Sequence, residues 1–276
     1  MRDATAMKKY LKNFYKYRFL LYEIVRKNIK LQYRDSVLGI FWTFLQPLLT
    51  TIVLVVVFGH IFGRNNAEIV NYPIYLLCGR LIYEFFTQST KRAMRSIRLS
   101  ASVIKKVYVP KYIYPLANVV ANYITFVISL SVLACFIIYF FFFSGNPPHL
   151  TGWFFLFPVP ILILLLLALG IGMILATLEV FFKDIEYLYE VFCLLLFYMT
   201  PIFYQIKQLK ITSPIVNRIL MANPLYSITE MFRCCVLYGR ALNPHHLLYA
   251  LGFALVVNVI GVWVFYKNQD KFILHI

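Results

Sequence analysis

A long uncharged and apolar stretch of the sequence places the strongest constraint on the fold. Residues 112–143 contain no Asp, Glu, Lys or Arg over 32 positions. A helix that crosses the hydrocarbon core of a bilayer needs about 20 consecutive apolar residues. The rest of the chain is similar, because 61% of its 276 residues are hydrophobic and only 14% are charged. The sequence therefore predicts a helical protein that crosses a membrane several times.

Six apolar runs, separated by charged or turn-forming residues, predict six transmembrane helices. The predicted spans cover residues 38–62, 72–90, 112–143, 150–178, 187–204 and 247–266. The predicted fold class is an all-α polytopic membrane protein, with one transmembrane domain over residues 1–276. No internal repeat of fixed period is visible, which disfavours transporter folds built from two halves in one chain.

The positions of the positive residues predict the orientation. Of the 27 Lys and Arg residues, 20 lie before Ser36, between Lys91 and Lys111, at Lys183, or in the C-terminal tail. A six-span topology puts all of these on one side. The positive-inside rule then places both termini in the cytoplasm, with the protein in the plasma (inner) membrane. Charges that flank apolar spans also argue against a nucleic-acid partner, despite the net charge of +16.

Residues 18–35 predict an amphipathic helix that lies in the membrane interface. Its apolar and cationic residues fall on opposite halves of a helical wheel. The cations are candidates for binding a phosphate or pyrophosphate headgroup through charge-assisted hydrogen bonds. These candidates are Arg26, Lys27, Lys30 and Arg34. General attraction to anionic lipid, at about 1 kcal/mol per residue, is the simpler explanation of the same charges.

Residues 206–246 carry too many charges and prolines to span a membrane. They predict two short helices joined at Asn223-Pro224. We expect these to be re-entrant helices that dip into the outer face of the bilayer, provided that protein or water covers their ends. A plain extracellular loop is the alternative.

Arg80 and Glu84 lie one helical turn apart inside the second predicted span. Charges inside a membrane are costly and commonly functional, so they can form a polar wall beside a hydrated path. The same spacing also fits an ion pair within one helix. The sequence leaves both interpretations open.

The sequence contains no motif of an enzyme that acts alone. It has no glycine-rich phosphate-binding loop, no nucleophile elbow and no His-Glu-x-x-His pair. The histidines at positions 149, 245 and 246 have no chelating spacing, and the five cysteines are interpreted as packing thiols. We therefore expect no metal and no cofactor in this chain, with any energy supplied by a partner.

Aromatic residues in the first and fifth predicted spans are candidates for lining a path for sugars, because flat rings stack against sugar faces. They are Phe41, Trp42, Phe44, Phe197, Tyr198, Phe203 and Tyr204. Contact with lipid explains most aromatic residues of a membrane protein.

Several segments, in order along the chain, resemble the membrane subunits of ABC type 2 exporters for lipid-linked polysaccharides. This family includes permeases for wall teichoic acid, O-antigen and capsule. The matching residues are 31–47, 104–110, 181–185, 198–204 and 223–225, together with Arg233. Arg80 and Glu84 are a departure, because the family usually carries apolar or aromatic residues there.

The resemblance implies a homodimer bound to two copies of a separate ATPase, which would bind ATP and Mg. It implies a channel between the two copies of spans one and five, and access for the lipid-pyrophosphate end at Leu38-Gly39. It also implies an ATPase-coupling surface and an outer gate. The coupling residues would be Ile97, Ser102, Ile104, Lys105, Lys106, Tyr108, Lys183 and Asp184, and the gate residues Asn223, Pro224 and Arg233.

The leading functional prediction is a channel-forming exporter subunit. It would move an undecaprenyl-pyrophosphate-linked glycan from the cytoplasmic to the outer side of the membrane. One alternative is an ABC type 2 permease for a drug or small lipid. Another is a membrane-embedded glycosyl- or acyltransferase, for which Asp184, Glu186 and Glu190 form the only acidic cluster.

Overall fold

A computed structural model describes residues 15–61, 71–107, 109–143, 148–149, 151–205 and 214–275. These residues form helices and connecting turns and contain no strand, which confirms the all-helical fold class. Within the same residues, four helical stretches are long and apolar enough to cross a membrane. They are Gly39–Phe58, Ile113–Phe143, Gly152–Phe181 and Pro244–His275.

The N-terminal half contains five helices within the described residues. A 3₁₀ turn, Gly39–Phe41, leads into the second helix, which continues as a π-helical segment, Val56–Ile61. The helices are α1 (Arg18–Gln32), α2 (Trp42–Val55), α3 (Tyr72–Leu99), α4 (Ala101–Ile104) and α5 (Ile113–Phe143). Phe62, at the predicted end of span one, lies outside the described residues.

The C-terminal half begins with a 3₁₀ turn, Gly152–Leu156. The helices that follow are α6 (Pro158–Phe181), α7 (Ile185–Met199), α8 (Pro214–Met221), α9 (Pro224–Arg233), α10 (Pro244–Asn268) and α11 (Phe272–His275). The predicted outer segment, 206–246, contains α8 and α9, and its residues 206–213 lie outside the described residues.

Proline and asparagine fix two of these helix starts. Pro224 and Pro244 occupy the first turns of α9 and α10, where no backbone N–H is required. The side chains of the preceding residues, Asn223 and Asn243, accept hydrogen bonds of 3.0 Å from backbone N–H groups two positions ahead. The last long helix therefore begins three residues before the predicted span.

The basic residues between Lys91 and Lys111, which have the composition of a loop, are largely helical. Helix α3 continues to Leu99, and α4 follows after a single residue. Between the cations of this stretch, Ala93, Met94 and Ile97 are fully buried. The cations from Lys91 to Arg98 pair with groups on neighbouring helices, so residues 91–99 form a packed helix with charged sides. Lys105 and Lys106 are exposed in the turn after α4.

Helix α3 is the central helix of the described bundle. It packs against α5 and α6, and it also contacts α2, α7 and α9. Ile74, Leu77 and Phe86 are among its buried residues. Since protein rather than lipid surrounds much of α3, this helix tolerates charges that would be costly at a lipid-facing position.

Small residues allow α6 and α10 to pack closely. A side chain added at Gly170 would meet the backbone of Asn258 at 2.8 Å, and one added at Gly261 would meet the Gly170 carbonyl oxygen at 2.5 Å. The Asn258 side-chain amide donates to the Leu166 carbonyl at 2.6 Å. Close backbone approach and a hydrogen bond between helices are typical of membrane helix packing.

Helix α7 is shorter than a usual membrane span. Its 15 residues extend about 22 Å at 1.5 Å per residue, whereas a bilayer core is about 30 Å thick. It ends at Met199, and the following Thr200 is extended because Pro201 disfavours helical backbone before it. The predicted span 187–204 therefore contains a non-helical end.

Arg233 fastens α9 to the rest of the bundle. Its side chain is fully buried, and its guanidinium carbon lies 3.5 Å from the centre of the Tyr75 ring. Its Nη2 donates to the carbonyl oxygens of Tyr75 at 3.1 Å and of Ile202 at 3.4 Å, and Glu230 lies 3.4 Å from Nη1. One side chain thus joins α9, α3 and the turn after α7.

Replacing Arg233 with Met should lower the free energy of unfolding by about 3 kcal/mol, because ring stacking is lost and buried carbonyl oxygens lose their donor. Thermal unfolding of the purified protein in nanodiscs measures this. Arg240→Met is the matched control, because Arg240 is exposed. Equal unfolding temperatures for the two variants would contradict the anchoring role.

Candidate functional site

Four cations predicted to meet a headgroup lie together along one surface groove. Arg26, Lys27, Lys30 and Arg34 line a groove of about 390 Å³ with Glu23 and Leu31. All four cations are exposed. Glu23 lies 4.0 Å from Arg26, and Asp35 lies 3.3 Å from Arg34, which leaves Lys27 and Lys30 without a carboxylate partner among the described residues. The groove can therefore bind an anion.

The apolar side of α1 packs on protein. Val25 is buried against Ala117 and Ala121 of α5, with Leu21 and Ile29 beside it. Small alanines on α5 let the two helices approach closely. This packing fixes the direction in which the groove cations point.

A tight corner joins α1 to α2. Gly39 has a φ of +52°, in the left-handed region, and its backbone N–H donates to the Ser36 hydroxyl at 3.2 Å. A side chain at Gly39 would meet no other atom within 4 Å, so glycine is required here by backbone conformation and not by space. Leu38, the other predicted corner residue, is exposed.

A chain of hydrogen bonds ties this corner to α3 and α5. Arg92 of α3 donates to the Gln32 side chain at 2.7 Å, and Gln32 donates to the Tyr33 hydroxyl at 2.8 Å. The Tyr33 and Thr43 hydroxyls are 2.8 Å apart, and Ser129 of α5 donates to the Thr43 carbonyl oxygen at 3.1 Å. The corner is thus held by α3 and α5, a connection that sequence reasoning missed.

The basic end of the bundle is the end where α3 meets α4 and α6 meets α7. The predicted coupling residues lie there and divide into two groups. Ser102, Lys105, Lys106, Lys183 and Asp184 are exposed and are available to a partner. Tyr108 lies outside the described residues.

Two other predicted coupling residues are buried. Ile97 is fully buried and Ile104 nearly so, in a cluster with Tyr114, Phe265 and Phe272. Their side chains support the surface from beneath and are not themselves exposed to a partner. The signal available in the sequence was their apolar character.

Ion pairs connect α3 to α6 and α7 at the basic end. Arg95 and Arg98 each lie 2.6 Å from an oxygen of Glu186. Nε of Arg98 is 2.9 Å from Oε1 of the buried Glu179, an ion pair without an aligned hydrogen bond. Arg95 also lies 3.5 Å from Glu190. Of the acidic cluster 184, 186 and 190, only Asp184 is left without a cation nearby among the described residues, so the cluster mainly holds the chain's own helices together.

The C-terminal segment packs beneath the same surface. Phe272 of α11 is fully buried, and the Lys111 ammonium group donates to the Gln269 carbonyl oxygen and lies 5.8 Å from the centre of the Phe272 ring. Burial lowers the pKa of Lys111, while the nearby Asp270 carboxylate acts in the opposite direction. The tail after the last span is therefore part of the support for the basic end.

The aromatic candidates lie in different environments. Phe41, Trp42 and Tyr198 are exposed, with 40% of Trp42 and 66% of Tyr198 accessible. Phe44 and Phe197 are partly buried against the core. The ring of Phe41, in the 3₁₀ turn before α2, stacks on that of Phe44 in α2, with 5.8 Å between the ring centroids.

Phe203 is buried within the protomer and so departs from the predicted lining set. Its ring stacks on Phe58 at 4.6 Å and meets Phe197 edge-on at 5.1 Å. Tyr204 is half-buried, and its hydroxyl donates to the Tyr198 carbonyl oxygen at 2.6 Å. These contacts pin the turn after α7 to α2 and leave Tyr198 as the exposed ring of this region.

The predicted gate residues have structural contacts in this protomer. Besides capping α9, Asn223 donates to the Thr200 hydroxyl at 3.1 Å, and Pro224 forms the first turn. Arg233 is the buried anchor described above. All three hold α9 against the turn after α7, at the end of the bundle opposite the basic end.

Arg80 and Glu84 form the helix-internal ion pair, with 3.5 Å between Nε and Oε2. Gln88 also donates to Glu84 at 3.2 Å. Glu84 lines a polar cavity among α2, α3 and α5. The two interpretations of this pair are therefore compatible, because the paired carboxylate also forms part of a polar wall.

Comparison with known sequences identifies the class of protein. Residues 20–237 match the family described as ABC-2 type transporter. This chain belongs to that family, and is therefore a transport subunit and not an enzyme. Family membership also implies an ATPase partner in an ABC export system.

The sequence similarity to individual relatives extends over most of their length. Two proteins from Klebsiella pneumoniae, each named O-antigen export system permease protein RfbA, are 29% and 28% identical over 255 and 253 residues. Each match covers 92% of this chain and 93% of the relative. A protein of the same name from Myxococcus xanthus is 29% identical over 266 residues, 95% of this chain and 97% of the relative.

Replacing Gly39 with Ala should destabilise the corner by about 1 kcal/mol or more, because an L side chain is strained at positive φ. Gly252→Ala is the matched control, since Gly252 is helical with open space around its Cα, and should stabilise α10 by roughly 0.5–1 kcal/mol. Thermal unfolding in nanodiscs measures whether each variant is less or more stable than the native chain. A stabilising effect at Gly39 would contradict the described corner.

Proposed function

We propose that this chain is the channel-forming subunit of an ATP-driven exporter of an O-antigen-type glycan. The cargo would be an undecaprenyl-pyrophosphate-linked polymer moved from the cytoplasmic to the outer side of the membrane. The observation that carries the proposal is the groove of four cations beside the corner of α1 and α2. The names of the relatives, similar over more than nine-tenths of their length, support the class of cargo.

The groove suits the charged end of such a substrate. A pyrophosphate group has several acceptor oxygens, and Lys and Arg provide charge-assisted donors to them. Lys27 and Lys30 form no ion pair with a carboxylate among the described residues, so their charges are available. Leu31 in the same groove adds an apolar contact for the lipid next to the pyrophosphate.

The sugar part of the substrate needs a different surface. Phe41, Trp42 and Tyr198 present exposed rings on α2 and α7. A second copy of the chain would turn these two apolar faces into the walls of one path. We therefore propose a homodimer with the path between the two copies, in which both termini are cytoplasmic because the positive residues favour that side.

Coupling to the ATPase would use the basic end. The partner, which binds ATP and Mg, would contact Ser102, Lys105, Lys106, Lys183 and Asp184. Movement of this surface would reach α7 through Arg98 and Glu186, and the corner through Arg92 and Gln32. The buried Ile97 and Ile104 make the surface stiff enough to transmit such movement.

Replacing Lys27, Lys30 and Arg34 together with Gln should reduce glycan export at least about tenfold, because the headgroup loses its charge-assisted hydrogen bonds. Assembly with the ATPase, measured by co-purification, should be unchanged. Export is measured as surface glycan in cells in which the variant replaces the native chain.

The control for that triple variant replaces Lys16, Lys267 and Lys271 with Gln, which removes the same charge outside the groove. Normal export by the control and loss in the groove variant support the headgroup role. Equal losses would instead indicate general attraction to anionic lipid, and normal export in both would overturn the headgroup role. If the chain exports a small lipid or drug and the groove variant shows no glycan defect, the alternative cargo is favoured.

Trp42→Ala should lower the rate of export about fivefold, which corresponds to roughly 1 kcal/mol of lost ring contact. Tyr198→Ala should act in the same direction. The amount of protein in the membrane should not change, because both rings are exposed. Trp263→Ala is the control, since Trp263 is an exposed ring on α10, away from both faces. An equal loss in the control would contradict a lining role.

A further inference from the structure

A polar cavity lies between the first membrane helix and the centre of the bundle. It has a volume of about 60 Å³ and lies among α2, α3 and α5, beside the corner. Side chains of Thr43, Gln46, Glu84, Gln88 and Asn122 contribute to its wall. Such a concentration of hydrogen-bonding groups is unusual beside apolar helices, because each group must be paired to avoid a large cost.

Asn122 is the residue whose hydrogen bonds are not accounted for. Its side chain is only 4% exposed, yet neither Nδ2 nor Oδ1 has a hydrogen-bond partner among the described residues. Two of its polar neighbours are paired, since Glu84 accepts from Gln88, and the Thr43 hydroxyl contacts that of Tyr33. A buried amide with both of its ends unpaired is rare in native proteins and points to a ligand with both donors and acceptors.

The size of the cavity decides the class of ligand. Sites for sugars or drug-sized molecules enclose about 300 Å³ or more. The space of about 60 Å³ is far smaller than that, and it exceeds the roughly 10–15 Å³ that a single water molecule needs. The carboxylate of Glu84 also disfavours an anion such as a phosphate. Water fits both the volume and the mixture of donors and acceptors.

We infer that this cavity is a structural water site, in which bound water joins the Asn122 amide to the polar groups of α2 and α3. Water there would stabilise the position of α2 relative to the central helix. It would also offer alternative partners to Thr43 and Gln46 when the corner moves. This inference does not depend on the nature of the exported cargo.

Radiolytic hydroxyl-radical footprinting of the full chain in nanodiscs tests the inference, because radicals form from water at the site where it is bound. Phe85 and Phe126 line the cavity and are each 4% exposed. Phe86, on the same helix as Phe85, is 2% exposed and does not line it. We expect oxidation of Phe85 and Phe126 several-fold faster than oxidation of Phe86. Equal rates for the three rings would overturn the water site.

Asn122→Leu provides the second measurement, because it replaces the amide with an apolar group of similar size. With water bound, the variant should lose the excess oxidation at Phe85 and Phe126 and should not be more thermostable. In a dry cavity, removal of an unpaired buried amide would raise the unfolding temperature, and that result would contradict the inference.

Thr125→Val serves where Asn122→Leu does not fold, since it removes one lining hydroxyl at nearly constant size. It should lower the oxidation of Phe126 relative to Phe86. An unchanged ratio would again argue against bound water. Glycan export by either variant bears on the proposed function alone, because the footprinting and the unfolding temperature decide whether water is bound.

Discussion

The cost of placing charged and polar atoms inside an apolar bundle governs the described structure. Such atoms have no solvent to pair with in a membrane, so they must find partners within the chain. Many of these paired groups are on helix α3. Its cations at the basic end meet Glu179 and Glu186, and its Tyr75 at the other end receives the buried Arg233. The positions of α6, α7 and α9 follow from these pairings.

The same pairings connect regions that are distant in sequence. Arg92 reaches the corner between α1 and α2 through Gln32, while Arg95 and Arg98 reach α7. These three cations are spaced three residues apart, so they lie near one another along about two turns of one helix. A displacement of this end of α3 would therefore act on the corner and on α7 together. This arrangement gives the proposed coupling a physical basis that does not require a flexible loop.

Sequence reasoning predicted features that depend on local chemistry. The uncharged run 112–143 corresponds to a single long helix, α5, and the Asn223-Pro224 pair separates two short helices, α8 and α9, as predicted. The groove cations could be grouped from sequence because a helical period places them on one side of α1. The helical content and the membrane class follow from such patterns, whereas the number of spans remains a prediction.

Features that depend on distant partners could not be predicted in this way. Residues 91–99 have the composition of a basic loop, and their helical, packed state is explained by carboxylates about 90 positions away. Phe203 and Phe272 resemble exposed aromatic residues in sequence, yet both are buried by contacts with other helices. Hydropathy measures the preference of a residue for an apolar environment and does not distinguish lipid from protein, so the ring that faces outward could not be separated from the ring that is buried.

Hydropathy does not tell whether lipid or protein covers the exposed faces of α2 and α7. Both are apolar, and lipid or a second protomer can cover them equally well, so exposure alone does not define a path. Their position relative to the groove is more informative. The cations occupy residues 26–34, the corner follows at 38–39, and the exposed rings begin at Phe41 and Trp42. A lipid-linked glycan carries a charged group directly before its first sugars, and this segment of the chain presents the matching chemistry in the same order.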